Sequence, residues 1–256
     1  MQIDLNCDMG ESFGAYTLGR DEEIIASVSS VSIACGFHAG DPGVMRRTVR
    51  LAREHGVAVG AHPGLPDLLG FGRRDMACSP EEVADYLTYQ IGALQAFCTA
   101  QGVALRHVKP HGALYNRAAG DGQLVRAMAR AIARIDRDLL LVGLAGQDKS
   151  RMAAIAEEEG IAMVFEAFPD RAYTPEGTLV PRHLPGAVIH DPATAAARAL
   201  RTVTEGVVEA IDGRLVPLVA QTLCIHGDNP QGVALAAAIR AHLQAAGIAV
   251  RPMRPA

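Results

Sequence analysis

Residues 106–116 read Arg106-His107-Val108-Lys109-Pro110-His111-Gly112-Ala113-Leu114-Tyr115-Asn116. A short run ends on a lysine, a Pro-His-Gly corner follows, and a helical pattern starts behind the corner. The same order recurs along the chain. Short runs at 3–6, 31–35, 57–61, 106–109, 139–144, 162–167 and 217–225 are rich in Val, Ile, Leu and Ala, with little polar alternation. Runs of that kind predict strands buried on both faces, as in a parallel sheet. Between them lie helix signals: Asp41-Pro42 before Gly56, Ser79-Pro80-Glu81-Glu82 before Gly102, Asp121, Asp148 before Gly160, Asp191-Pro192 before Gly206, and Asn229-Pro230 before Gly247. Each places a capping side chain or Pro at a helix start, most with a Gly beyond the end. Residues 171–190 carry neither pattern and read as an extended loop over one face. Seven strand–helix repeats predict an α/β fold: a seven-stranded parallel β/α (TIM-like) barrel, formed as one domain by residues 1–256. An open doubly wound sheet is the competitor. The barrel is preferred because polar clusters follow nearly every strand, whereas an open sheet gathers its ligands at one switch point.

Composition narrows the function. With 24 basic and 28 acidic side chains in 256 residues the formal net charge is −4, so the chain lacks the basic excess of a general nucleic-acid binder. No run of 18 uncharged apolar residues is present to span a membrane. The acidic start, MQIDLNCDMGES, is unlike a secretory signal, and five irregularly spaced cysteines read as free thiols. A cytoplasmic protein is expected. Trp is absent and aromatics are 4% of residues, which leaves few stacking platforms for sugars or bases. Lysine occurs only at Lys109 and Lys149, the other basic residues being Arg. Lys109 therefore marks a place where a compact ammonium is wanted.

Chemistry collects at the strand ends. Asp8 and Glu11 follow the first strand, and His38 and Asp41 the second. His62 and Asp67 follow the third, with Arg73 and Arg74 soon after. Lys109, His111, Tyr115 and Asn116 follow the fourth. Glu166, Asp170 and Arg171 follow the sixth, and His226 and Asp228 the seventh. In a barrel these ends share one mouth, which points to an enzyme. Capping alone accounts for Asp41, Asp121 and Asp228; His55, His183, His190 and His242 read as structural or solvated. Arg73 and Arg74 read equally well as a surface pair. Asp8 with His38, His62 and His111 is the candidate set for a divalent metal, and a metal-free network in which Asp8 orients a histidine is the alternative. The segment 143–150 lacks the Gly before Lys of a phosphate loop, and no Gly-x-Ser-x-Gly elbow occurs.

The strings DLNCDMGESFG, SIACGFHAGDP, GAHPGLPDLLGFGRR, VKPHGALYN, EAFPDRAY and CIHGDNP, in that order, resemble the LamB/YcsF family, whose members are described as the A subunit of prokaryotic 5-oxoprolinase. The resemblance covers the chain nearly end to end. Ser32 stands where the family pattern has Asn, and Pro169 where it has a small residue. The resemblance implies a barrel similar to the glycoside hydrolase/deacetylase superfamily. It also implies ATP-dependent opening of 5-oxo-L-proline (pyroglutamate) to L-glutamate, ADP and phosphate, together with subunits B and C, with ATP bound by this chain or by its partners. By analogy with that fold, Asp8, His62 and His111 are the positions nearest a metal-binding Asp and two His.

On that reading Asp8 or His111 activates water, Lys109 and Arg171 hold phosphate or the developing oxyanion, and Glu166 or Asp170 protonates the leaving nitrogen. Arg73, Arg74, Tyr115, Asn116 and His226 complete the substrate- or phosphate-binding set. Two rivals remain: a stand-alone metal-dependent amidase or deacetylase without ATP, and a non-catalytic subunit that binds a small acid.

Overall fold

The computed structural model describes residues 1–225 and 231–255; His226 and Asp228 lie outside the described residues. Six parallel strands follow in order: β1 (Gln2–Met9), β2 (Ser30–Ala34), β3 (Ala58–His62), β4 (Leu105–Val108), β5 (Leu140–Leu144) and β6 (Met163–Ala167). Two short strands, β7 (Val207–Glu209) and β8 (Leu215–Pro217), form a separate antiparallel pair. Strand β9 (Thr222–Ile225) pairs with both β6 and β1, closing a seven-stranded parallel barrel. Strand β10 (Ala249–Val250) adds to the start of β1.

The last barrel strand differs from the run read at 217–225. Pro217 has no N–H to give a barrel ladder, so it ends the edge pair instead, and the barrel strand starts only at Thr222.

Helices α1 (Asp21–Ile24), α2 (Pro42–His55), α3 (Pro80–Ala100), α4 (Gly112–Gly120), α5 (Gly122–Ile135), α6 (Lys149–Glu158), α7 (Pro192–Glu205) and α8 (Gly232–Ala245) lie between or after strands. Their starts follow the sequence signals. Asp41 accepts from the Val44 N–H, Asp191 from the Thr194 N–H, Asp121 from Gln123 and Leu124 N–H, and Ser79 with Glu82 closes a capping box. Asp148 makes no side-chain cap.

The strands carry two different faces. On β1, Ile3, Leu5, Cys7 and Met9 belong to the main apolar core shared with the helices. The alternate residues Asp4, Asn6 and Asp8 meet Ser30 and Thr222 on the neighbouring strands and reach across the barrel to Glu166 and Lys109. A strand places successive side chains on opposite faces, so the polar residues fill the barrel interior. Small-barrel interiors are ordinarily filled by branched apolar side chains. A polar interior costs stability and is the first structural sign of a site.

Residues 171–190 form the extended strap read from the sequence, with isolated bridges but no helix or strand. Arg171 ties it, donating from Nη2 to the Val180 carbonyl at 2.7 Å and from Nε to that of Ala187 at 3.3 Å.

Candidate active site

A cavity of about 490 Å³ opens at the C-terminal ends of the strands, with the strap residues Thr178 to Arg182 along one side. Its floor is Lys109, the residue that follows β4. Lys109 Nζ lies 2.8 Å from Asp8 Oδ1, 2.9 Å from Glu166 Oε1, 3.2 Å from Asn6 Oδ1 and 3.2 Å from Cys224 Sγ. The ammonium is 3% exposed and Glu166 0%. A buried charge is tolerated when paired and hydrogen-bonded on all sides, and here it is. Burial pushes the Lys109 ammonium towards neutrality, but Asp8, Cys224 and Glu166 outweigh it and hold it charged, well above the usual lysine range. Burial likewise works against the Asp8 carboxylate, and His62 and Lys109 overcome it, so Asp8 stays ionised well below the ordinary carboxylate range. Glu166 also accepts from Asn6 Nδ2 at 2.8 Å and from the Tyr115 hydroxyl at 3.3 Å. Burial and Glu166 raise the Tyr115 phenol well above its normal value, so it stays protonated and donates to Glu166.

Beside this group, four side chains from separate strand ends converge. The ring of His62 points Nδ1 at the Lys109 carbonyl, 2.7 Å away, and His111 points Nε2 at the Phe71 carbonyl, 2.8 Å away. A carbonyl only accepts, so each of these nitrogens carries a hydrogen. The nitrogens left over, His62 Nε2 and His111 Nδ1, face each other at 2.9 Å. Asp8 Oδ2 lies 3.3 Å from the first and Glu11 Oε1 3.9 Å from the second. His38 stacks on His111 with ring centroids 3.7 Å apart, and both of its nitrogens are buried without a hydrogen-bond partner. Burial, then the neighbouring histidines, depresses the basicity of His38 and His111. The facing nitrogens of His62 and His111 and the two unpartnered nitrogens of His38 gather nitrogen donors in one place. Glu11, His38, His62 and His111 each offer one ligand atom, all within 4.8 Å of one another. Three imidazoles and a carboxylate fit a divalent transition metal.

The sequence reading and the structure differ in detail here. The structure brings Asp8, Lys109, His111 and Glu166 to one cavity, along with Tyr115, Asn116, Arg73 and Arg171. His38 sits behind His111 rather than on the cavity wall. Asp170 is buried at 1% exposure and does not line the cavity. Arg74 turns away to pair with Asp67 and is largely exposed. Asp8 turns Oδ1 to Lys109 and Oδ2 to His62, and Glu11 joins the three histidines as the carboxylate of the four-residue cluster. The sequence alone assigns no role to Asn6, Glu11, Cys224 or Arg182. Glu11 has a visible signal, lying three residues past Asp8 in the same strand-end cluster. Asn6 and Cys224 have none, because they lie within strand runs.

Comparison with known proteins bears on the family and the fold. The sequence profile of the LamB/YcsF family matches residues 3–256. A protein of Symbiobacterium thermophilum, named as the A subunit of 5-oxoprolinase, is 57% identical over 97% of this chain and 94% of its own length. One of the same name from Thermococcus onnurineus is 56% identical over 99% and 98%. The crystal structure of a lactam utilization protein from Thermus thermophilus superposes with a TM-score of 0.92 at 54% identity, covering 98% of this chain and 99% of that one. Matched from its first strand to its C-terminal end, the chain belongs to the LamB/YcsF family.

Proposed function

We propose that this chain is the A subunit of an ATP-dependent 5-oxoprolinase, and that with subunits B and C it opens the lactam of 5-oxo-L-proline to give L-glutamate, ADP and phosphate. One observation carries the reading. A charged, fully buried Lys109 is held between Asp8 and Glu166 on the floor of a cavity of about 490 Å³, a size that suits a small molecule. The names of the relatives, the 5-oxoprolinase A subunits and a lactam utilization protein, support a cyclic amide as the substrate. Five free thiols support a reducing, cytoplasmic setting, and no described helix is long and apolar enough to cross a membrane.

A lactam is a poor electrophile whose opening expels an amine. Transfer of the γ-phosphoryl group of ATP to the lactam oxygen makes the ring carbon reactive. Water then adds to that carbon, the ring C–N bond breaks to free the amine, and a second water releases phosphate. The segment 143–150 lacks the pattern of a phosphate loop, which supports placing phosphorylation largely on the partner subunits. Asp8, held ionised at the cavity, accepts the proton of the attacking water. Lys109 stabilises negative charge developing on oxygen. Glu166 lines the cavity and Asp170 does not, so Glu166 takes the role of delivering a proton to the leaving nitrogen: it relays one from the Lys109 ammonium 2.9 Å away, and the proton that Asp8 takes from water returns to Lys109 across 2.8 Å. Glu11, His38, His62 and His111 would hold a divalent metal, which supplies Lewis-acid polarisation of a carbonyl and acidification of water.

The test is glutamate release from 5-oxo-L-proline with ATP, by this chain alone and with subunits B and C. Release only in the full mixture is expected. No release in any mixture, with folded and associated partners, removes the reading. The histidine cluster favours one second reading, a metal-dependent amidase that needs no nucleotide. Turnover without ATP that is lost on chelation would establish it. Metal content separates the parts: elemental analysis of the purified chain should find a divalent transition metal, lost in Glu11→Gln and His38→Ala. Equal metal in both variants and the parent would dissolve the proposed ligand set.

A further inference from the structure

Three arginines reach the cavity from separate parts of the chain: Arg73 beyond β3, Arg171 just after β6, and Arg182 on the strap. Arg171 is 6% exposed, and its hydrogen bonds go to the Val180 and Ala187 carbonyls. Those two bonds use two of its five N–H donors and leave its charge uncancelled. Among the described residues no carboxylate stands within ion-pair distance of Arg171 or Arg182. Burial, followed by repulsion from Arg182, lowers the basicity of Arg171; Asp170 offsets part of this and Arg73 adds to it. Folding thus forces like charges together at a partly dry wall, where screening is weak. Such an arrangement lowers stability and is relieved when an anion enters. A planar guanidinium also matches the two oxygens of a carboxylate or phosphoryl group.

We propose that Arg171 and Arg182, with Arg73 beside them, form an oxyanion subsite that selects cyclic amides bearing an anionic group. The inference rests on the cavity being the substrate site argued above. The anion anchors at the arginine wall while the amide faces Lys109, Asp8 and Glu166. The oxyanion is either the ring carboxylate of the substrate or a phosphoryl group placed on it. A neutral lactam lacks this anchor.

Calorimetric titration of the full chain tests this with 5-oxo-L-proline, its carboxylate-free counterpart 2-pyrrolidinone, and inorganic phosphate. Arg182→Glu is the main variant, because Arg182 is exposed and holds no part of the fold. Arg171→Lys is the second, with circular dichroism as a check since Arg171 ties the strap. The parent should bind 5-oxo-L-proline about tenfold or more tightly than 2-pyrrolidinone, and Arg182→Glu should weaken the bound anion about tenfold or more. Competition between phosphate and 5-oxo-L-proline would identify the carboxylate as the occupant. Independent binding, with only phosphate weakened by Arg182→Glu, would identify a phosphoryl group as the occupant and overturn the selection by the substrate's own anionic group. Phosphate binding that depends on Arg182 without any binding of 5-oxo-L-proline would keep the subsite and remove the lactam reading. Equal binding of 2-pyrrolidinone and 5-oxo-L-proline, anion binding unchanged in Arg182→Glu, or no binding of either anion would overturn the proposal.

Discussion

Lys109 shows how much one side chain carries. Its ammonium meets two carboxylates, an amide oxygen and a thiol within 3.2 Å. Lys109→Ala leaves Asp8 and Glu166 facing each other without the cation between them. Turnover should fall at least about tenfold with the far-ultraviolet circular dichroism unchanged; unaltered turnover would remove Lys109 from the chemistry. Lys109→Arg should not restore activity, since a planar fork does not fit where a compact charge is enclosed on all sides. The scarcity of lysine makes this residue legible in the sequence. Its partners are only partly so: Asp8 and Glu166 stand at strand ends, but Asn6 looks like any residue inside a strand.

Elements act here through close approach. Gly60 on β3 leaves room for the His107 ring on β4: a Cβ there would fall 2.1 Å from His107 Nε2. That ring meets the Ser32 hydroxyl at 3.1 Å, so the residue that departs from the family's Asn has a defined partner. Gly72, at φ +63°, lets its loop cross the stacked histidines; a Cβ would lie 2.7 Å from His38 Cβ and 2.9 Å from His111 Cδ2. Gly72→Ala should therefore displace the His38–His111 pair and lower metal content at least about tenfold, measured by elemental analysis on folded protein; unchanged metal would show that the pair does not hold it. Strands β1 and β9 cooperate in another way. Thr222 accepts from Asn6 Nδ2 at 2.6 Å and donates to Asp4 Oδ2 at 2.5 Å, fixing which end of the Asn6 amide faces Lys109. Thr222→Val should lower kcat with little change in KM, and Thr222→Ser should restore it. Equal kcat in Val and Ser variants would show that the hydroxyl orients nothing. Helix caps and turns are readable because they depend on neighbours in sequence. The last barrel strand is misplaced by sequence because Pro217 can be reassigned only once its partner strand is known.

For the molecule as a whole, the polar barrel interior links stability to pH. Asp4 is buried among Ser29, Ser30 and Thr222, and burial pushes its carboxyl up to about 6 from an ordinary 3.8; the three hydroxyls pull it down and Glu166 adds to the rise. Between these two values the folded chain keeps a proton that the unfolded chain has released. Stability from this group is therefore lost as pH rises through that window, by about 3 kcal/mol. Asp4→Asn cannot ionise. Urea denaturation at about pH 4.5 and about pH 7 should show the parent losing more stability than the variant across that interval. Identical slopes would mean that Asp4 does not titrate there.

The sequence by itself determined the strand–helix alternation, the closed parallel barrel, the family and the clustering of titratable residues at strand ends. These follow from periodicity, caps and local strings, which short-range physics sets. Only the tertiary structure decided which groups meet. Closure of β9 against β1 and β6 brings Asn6, Glu166 and Cys224 onto Lys109, the last of them from 115 residues away in the chain. The arrival of Glu11 beside Asp8 at the histidine cluster, the turning of Arg74 out to Asp67 and the delivery of Arg182 by the strap are likewise decided in three dimensions. Burial strengthens the contacts around Lys109 and among the histidines and makes a single arrangement win there, and burial is a property of the folded chain alone.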